Sequence, residues 1–584
     1  MTNELPRPEY PQPQFVRKNW MNLNGIWDFE MDQSKSGEQR GLQNVPALSG
    51  KILVPFCPES KLSGIEHRDF LWSVWYKRKV TVPEEWLEHG RRTFLHIGAC
   101  DYETRVFVNG DFVGTHFGGY TPICLEITKW LHSGANDITV CAKDQTDDPK
   151  TPSGKQSVQY ASAGCSYTRT TGIWQTVWLE NTPSAYIRSV KMTPSLQNGT
   201  LAVQARLENA AGLSLKAEAF FDGKCVARAS AAVAWREASL LLKLEELHPW
   251  DLEHPDLYDI TFTLGEDVVT SYFGLRDIDL RDGKTYLNGR PVFQRLILDQ
   301  GYYPDGIYTA PDDGELIADI ERAKAMGFNG ARLHQKVFDP RFLYHCDRMG
   351  YLVWDEHANW GLDTVASTAF EGFLPEWLEI LQRDYNHPSI IGWCPLNETP
   401  RNVNERFVRC LYELTLEFDP TRIFIDNSGW AHVEGAYDLY DVHDYCGNPE
   451  EFRAKYEPLL ENKPVECLSW WGGSYQHCGT TERNDIRFVS EFGGARWVIA
   501  EEDNGGDNWG YGEQVQDEQA FIDRYRGLVD ALLDNPKIGA FCYTQLTDVE
   551  QEQNGLYTYR RKPKFDPEVI RTITSRKAAM EEED

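Results

Sequence analysis

Two glutamates end apolar runs in the second half of the chain. Ile390-Ile391-Gly392-Trp393-Cys394-Pro395-Leu396 leads into Asn397-Glu398, and Arg487-Phe488-Val489-Ser490 leads into Glu491-Phe492-Gly493-Gly494. A packed core rejects an ionised carboxyl, so a Glu in that place is ion-paired, caps a helix, or reacts. Each taken singly fits the first two roles. Together they fit the third, because two carboxyls about 5 Å apart cleave a glycosidic bond with retention, one as acid/base and the other as nucleophile. Burial and mutual repulsion would raise the pKa of one of them and keep it protonated at neutral pH.

Such a pair needs a frame that brings two strand ends to one mouth. After Tyr286-Leu287-Asn288-Gly289-Arg290-Pro291, short apolar runs alternate with helical patterns, the texture of βα units around a parallel sheet. Strands are expected near 292–298, 328–334, 351–356, 390–396, 422–426, 439–444, 486–491 and 538–545. Eight such units in about 300 residues predict a closed (β/α)8 barrel with its reactive groups at the C-terminal strand ends. Leu316, Ile320 and Ala323 repeat at i, i+4 and i+7 behind Pro311-Asp312-Asp313, as a first helix facing the sheet would. An open doubly wound sheet shares the alternation, but no Gly-x-Gly-x-x-Gly turn follows the first strand and no phosphate loop occurs.

Upstream the texture is all β. Residues 1–182 carry short β-branched and aromatic runs such as Thr104-Arg105-Val106-Phe107-Val108, followed by the hairpin signal Asn109-Gly110, and predict a β-sandwich. Residues 183–277 alternate in Leu201-Ala202-Val203-Gln204-Ala205-Arg206-Leu207 and again in Leu257–Leu264, at a length that suits an immunoglobulin-like sandwich without its disulfide.

At 584 residues the chain exceeds one hydrophobic core, which sets two to four domains. Its 41% hydrophobic residues, 46 Gly and 30 Pro are those of a folded, turn-rich protein. A net charge of −30 opposes phosphate backbones and anionic membranes, so neither nucleic acid nor membrane is expected as a partner. The 13 Cys contain no Cys-x-x-Cys pair, which points to reduced, packed thiols rather than a disulfide framework or structural zinc. No basic stretch and apolar run open the chain and no run of about 18 apolar residues occurs, so a cytoplasmic location is expected.

Further segments carry a resemblance. Leu23-Asn24-Gly25-Ile26-Trp27-Asp28-Phe29, Gly118-Gly119-Tyr120-Thr121-Pro122 and Gly172-Ile173-Trp174-Gln175-Thr176-Val177-Trp178-Leu179 fall in the first sandwich. Tyr272-Phe273-Gly274-Leu275-Arg276 ends the second, and Asp339-Pro340-Arg341-Phe342 with Leu352-Val353-Trp354-Asp355-Glu356 lies in the barrel region. In this order they resemble the family 2 glycoside hydrolases, the group of β-galactosidases, β-glucuronidases and β-mannosidases, over nearly the whole chain. The resemblance implies a sugar-binding jelly roll over 1–182, an immunoglobulin-like domain over 183–277 and a catalytic TIM barrel over 278–584. It implies Glu398 as acid/base and Glu491 as nucleophile, Asn397 on the sugar 2-hydroxyl, Tyr445 steadying the nucleophile, and Arg332 beside it. His334, on the same strand end as Arg332, is either a satisfied histidine or a substrate ligand. No cofactor is implied and no metal, since the Glu-x-His of large β-galactosidases has no counterpart after Asp355-Glu356. A homo-oligomer is left open.

The glycone-reading positions depart from that family. Strand one ends Ile297-Leu298-Asp299-Gln300-Gly301 where β-galactosidases have Asn-x-His-Glu, and strand two continues Leu333-His334-Gln335-Lys336 in place of Ser-His-Tyr-Pro. Asp299 and Gln300, with Gln545 and Asp548 after strand eight, are the candidate replacements. Where β-glucuronidases have Asn-x-Lys this chain has Glu552-Gln553-Asn554-Gly555, which argues against an anionic sugar despite nearby Arg560, Arg561 and Lys562. Of the Trp residues near strand ends, which include Trp360 and Trp430, Trp393 and either Trp470 or Trp471 are expected to stack on the sugar. The expected protein is a retaining exo-glycosidase acting on a carbohydrate or glycoside with a terminal neutral sugar, β-galactosidase-like. A β-glucuronidase, a furanosidase or arabinosidase of the same family, and a non-catalytic carbohydrate-binding protein are the alternatives.

Overall fold

Alternating burial builds both sandwiches. In Thr200–Glu208, Leu201, Val203, Ala205 and Leu207 are buried while Ala202, Gln204 and Arg206 are exposed, the period of a strand with one face on a core. A computed structural model describes residues 5–471, 474–499 and 508–582, except the side chains of residues 467–481. The first sandwich packs a four-stranded against a six-stranded sheet around Leu23, Trp27, Ile52, Val106, Ile138 and Val177. Its expected hairpin is present: Val108 pairs with Asp111, and Asn109 and Gly110 both take positive φ (52° and 86°), as a two-residue turn of matching twist requires. The second sandwich packs three strands on four around Ile187, Leu201, Val203, Leu215 and Phe262.

The barrel strands are β1 (Gln294–Asp299), β2 (Gly330–Leu333), β3 (Leu352–Glu356), β4 (Ile390–Cys394), β5 (Ile423–Phe424), β6 (Tyr440–Asp444), β7 (Ile486–Gly493) and β8 (Ala540–Thr544). All pair in parallel in the order β5-β4-β3-β2-β1-β8-β7-β6, so each expected strand occurs. The two ends of this ladder meet just before β6, where Asp438 N donates to Phe424 O (2.9 Å). Helix α1 (Asp313–Ala325) starts on Asp312, whose carboxylate accepts from Glu315 N, and buries Leu316, Ile320 and Ala323.

Strand parity decides what faces the mouth. Leu296, Leu298, Trp354, Phe488 and Cys542 fill the inside of the barrel, whereas Ile297, Ala331, Leu333, Val353, Trp393 and Val489 belong to the layer beneath the helices.

Both sandwiches are tied to the barrel. Arg276, leaving the second sandwich, donates to Pro388 O and Ile390 O (2.8 Å each) at the root of β4. The connection 144–171 of the first sandwich crosses the barrel rim, where Ser153 N and Gly154 N both donate to Trp360 O (2.9 Å each). Between the sandwiches, buried Arg17 bonds Asp267 through Nε (2.9 Å) and Glu180 through a terminal nitrogen (2.9 Å). Removing the guanidinium would leave two buried carboxylates without their cation, so Arg17→Ala is expected to cost about 3–5 kcal/mol in a urea titration. A loss below about 1 kcal/mol would show the junction to be held by other contacts.

Candidate active site

The chain leaves β4 through Pro395 and Leu396, and Glu398 then takes φ 51°, the left-handed region that a non-glycine residue occupies at a cost of about 1–3 kcal/mol. Neighbouring loops fix that conformation. Glu398 N donates to Ser428 O (2.9 Å), Asn397 N to Asn359 Oδ1 (2.8 Å) and Thr399 N to Asn427 Oδ1 (2.9 Å). Asn359 is itself set by Gln335, whose side-chain nitrogen donates to it (2.5 Å). Strain at Glu398 is thus carried by hydrogen bonds from the loops after β2, β3 and β5.

Glu491 lies on β7, in register with His443 on β6. The His443 ring stands between the two glutamates, with Nδ1 2.8 Å from Glu398 Oε1 and Nε2 3.4 Å from Glu491 Oε1. One oxygen of each carboxylate and one His443 nitrogen all lie within 4.8 Å of one another, and among the described residues these three are the set that could hold a metal ion. Ser428 Oγ also bonds His443 Nε2 (3.0 Å). Burial works against a charge on His443, but Glu491 and Glu398 outweigh it and raise the imidazole above its ordinary pKa.

Arg332 is the permanent positive charge of the site. It is buried inside the barrel and donates to Glu356 (2.6 Å), Ser490 O (2.7 Å), Glu491 Oε1 (3.2 Å) and Asn397 Oδ1 (3.1 Å). Tyr445 donates its hydroxyl to the other oxygen of Glu491 (2.5 Å). Burial pushes the Glu491 carboxyl up, but His443, His334, Arg332 and the Tyr445 hydroxyl together hold it at about 2. His334, bonded to Glu356 through Nδ1 (3.1 Å), is driven well below its ordinary value by burial first and then by Lys155. Arg332 therefore remains the standing cation beside Glu491, with the raised His443 imidazole next to it.

A cavity of about 810 Å³ opens beside Glu398 and His443 and is lined by Trp360, Trp430, Trp509, Tyr445, Tyr511 and Cys165, among others. The Asn397 oxygen takes Arg332, while its buried Nδ2 has no partner among the described residues. Gln300 and Gln545 bond each other (2.8 Å), and Gln545 passes the chain on to Asn554 (2.7 Å) and Glu552 (3.0 Å). Three expected readers lie elsewhere. Asp299 has the outward parity of β1 and accepts from Gly301 N (2.9 Å), and burial followed by Asp319 raises it to about 6. Trp393 likewise points under the helices, its Nε1 donating to Asp419 (2.8 Å). Asp548 is bonded to Lys564 (2.6 Å) and lines a separate cavity with Glu550 and Arg560. The side chains of Trp470 and Trp471 lie outside the described residues.

Sequence reasoning missed His443, Trp509, Tyr511 and the residues that the first sandwich sends to the mouth. His443 was within reach, since Asp441, His443 and Tyr445 share one parity of β6. No periodic signal marks the others.

The geometry agrees with what the chain is similar to. Residues 64–183, 185–276 and 278–465 match in turn the models for the sugar binding domain of glycosyl hydrolases family 2, for glycosyl hydrolases family 2 itself, and for that family's TIM barrel domain. A Formosa agariphila protein is 29% identical over 70% of this chain, and the chain spans about half (52%) of its length. The β-glucuronidase of Felis catus is 25% identical, covering 78% of this chain and 76% of its own, and the β-galactosidase of Thermoanaerobacter pseudethanolicus 25%, covering 65% and 51%. The solved β-glucuronidase of Ruminococcus gnavus in complex with D-glucuronic acid shares the fold at a TM-score of 0.78, with 17% identity, over 97% of this chain and 100% of its own. The chain belongs to family 2 of the glycosyl hydrolases.

Proposed function

We propose that this glycoside hydrolase is a retaining exo-glycosidase with Glu398 as acid/base and Glu491 as nucleophile. The observation that carries the reading is the approach of their carboxylate oxygens, within 4.8 Å at one barrel mouth. That separation suits direct attack on the anomeric carbon, whereas an inverting pair stands about 6.5–9.5 Å apart to admit a water. Glu491 is ionised and oriented by Arg332 and Tyr445. It attacks the anomeric carbon while Glu398 gives its proton to the departing oxygen, and the glycosidic bond breaks. Glu398 then takes a proton from water, which displaces Glu491 and restores the original configuration. Asn397 Nδ2 is left over to donate to the sugar 2-hydroxyl.

The similar proteins include β-glucuronidases and β-galactosidases. The mammalian relatives and the solved neighbours favour a β-glucuronide over the neutral galactoside expected from the sequence. A neutral β-galactoside is the second reading, supported by the bacterial β-galactosidases among the relatives.

Glu491→Ala is expected to lower kcat/KM on the best aryl glycoside by about 10⁴-fold or more, and a 2-fluoro glycoside to label Glu491 in the parent protein. Turnover within tenfold of the parent would remove Glu491 from the nucleophile's role. Tyr445→Phe, which deletes a single hydrogen bond to the nucleophile, is expected to cost about 10- to 100-fold in kcat.

The charge of Glu491 also makes a stability prediction. Its folded pKa of about 2 lies below the ordinary glutamate value of 4.5, so the ionised group adds stability fully present above pH 4.5 and lost as pH falls toward 2. Glu491→Gln, which imitates the protonated form, is therefore expected to be less stable than the parent by about 3 kcal/mol at pH 7. The gap should close as acid is added, and a gap independent of pH between 7 and 3 would refute the depressed pKa.

A further inference from the structure

A buried lysine lies against Trp360, whose ring lines the cavity, and takes no part in the steps above. Lys155 belongs to the arm 144–171 that the first sandwich lays over the barrel rim. Two backbone donors fasten that arm to Trp360 O, and Lys155 O accepts from Tyr167 N (2.7 Å). Gly154 has φ +59°, and a Cβ there would come within 2.4 Å of Gln335 O and 3.0 Å of Ala358 Cβ. Only glycine lets the arm lie so close to the rim, and this approach delivers the next side chain inward.

The Lys155 residue is 4% exposed. Its ammonium sits 4.4 Å from the Trp360 ring centroid and 5.9 Å from that of Tyr167. It has no hydrogen bond or ion pair among the described residues, although carboxylates surround it. Burial works against its charge, but Cys165, Glu552, Glu491 and Glu398 outweigh burial, and its pKa lies above the ordinary value. Glu552 is already engaged by Tyr167 (2.5 Å) and Asn554 (3.0 Å). A buried ammonium carries three donors and must find acceptors, and the described residues supply none by hydrogen bond.

We propose that Lys155 is the residue that reads the glycone, by binding the carboxylate of a terminal β-linked hexuronic acid whose anomeric carbon lies between Glu398 and Glu491. This rests on the glycosidase reading and names its substrate class. A carboxylate returns a full negative charge to the ammonium in a charge-assisted hydrogen bond, whereas a hydroxyl could be read by an uncharged donor at a smaller desolvation cost. The barrel's last turn, Glu552-Gln553-Asn554-Gly555, has no cation of its own. The arm brings one from another domain.

The test compares 4-nitrophenyl β-D-glucuronide with 4-nitrophenyl β-D-glucoside, which differ at C6 alone. The parent protein is expected to favour the uronide in kcat/KM by about 100-fold, and Lys155→Met to lower the uronide-to-glucoside ratio by about 10- to 100-fold, chiefly through KM. Lys155→Arg, which keeps the charge, should retain most of the ratio. A parent that prefers the glucoside, or a Met variant that loses both activities equally, overturns the proposal. Calorimetry of D-glucuronate and D-glucose binding to the parent and both variants reads the same contact without turnover. Glucuronate should bind more tightly to the parent and lose that advantage in Lys155→Met, and equal binding of the two sugars by the parent overturns the proposal. If no glycoside is turned over, the glycosidase reading fails and calorimetry alone decides the role of Lys155.

Discussion

A buried and a half-buried carboxylate within 4.8 Å repel each other when both are ionised, by about 3 kcal/mol at an effective dielectric of 20. The site is organised around meeting that cost. His443 stands between the pair and Arg332 reaches Glu491 from within the barrel, but Arg332 is shared with Glu356, so the guanidinium is not in excess. The result is asymmetric. Glu491 receives Arg332, Tyr445 and the His443 ring, whereas Glu398 receives His443 alone and keeps its second oxygen without a partner among the described residues. Glu491 is thus held charged and fixed from several sides, while Glu398 is bonded from one side only.

That balance draws on five strands, and no short segment could reproduce it. Arg332 comes from β2, Glu356 from β3, Glu398 from beyond β4, His443 and Tyr445 from β6 and its exit, and Glu491 from β7. A parallel barrel brings these ends together because every strand runs the same way. The sandwiches contribute by fixing strand positions: Arg276 docks on the root of β4, and the arm across Trp360 braces the loop after β3, which also holds Asn397 through Asn359.

The fold and the meeting of the two glutamates at one mouth were legible because their signals are local. Apolar strands that end in a charge are conspicuous, and eight of them alternating with helices leave few architectures. What failed was parity. Asp299 and Trp393 sit on the strands expected of them, yet a single step along a strand moves a side chain from the mouth to the layer under the helices, and an apolar run buried on both faces gives no sign of which is which. Asp548 failed for another reason, since its partner Lys564 lies 16 residues away and no pattern links them. Lys155 was invisible in the same sense. It sits in a stretch without period, and its position depends on Gly154 meeting a backbone oxygen of residue 335 in another domain.

The division between barrel and arm has an electrostatic consequence. A further cation on the barrel rim in hydrogen-bond reach of Glu491 would compete with Arg332 and Tyr445 and change the nucleophile along with the binding. Lys155 is attached through backbone bonds to Trp360 and bonds none of the groups that hold Glu491 or Glu398. It acts on them through its field alone, most visibly by helping to keep His334 neutral. Selection of what enters the mouth can therefore change on the arm while the relation between the two glutamates, fixed by β4, β6 and β7, stays as it is.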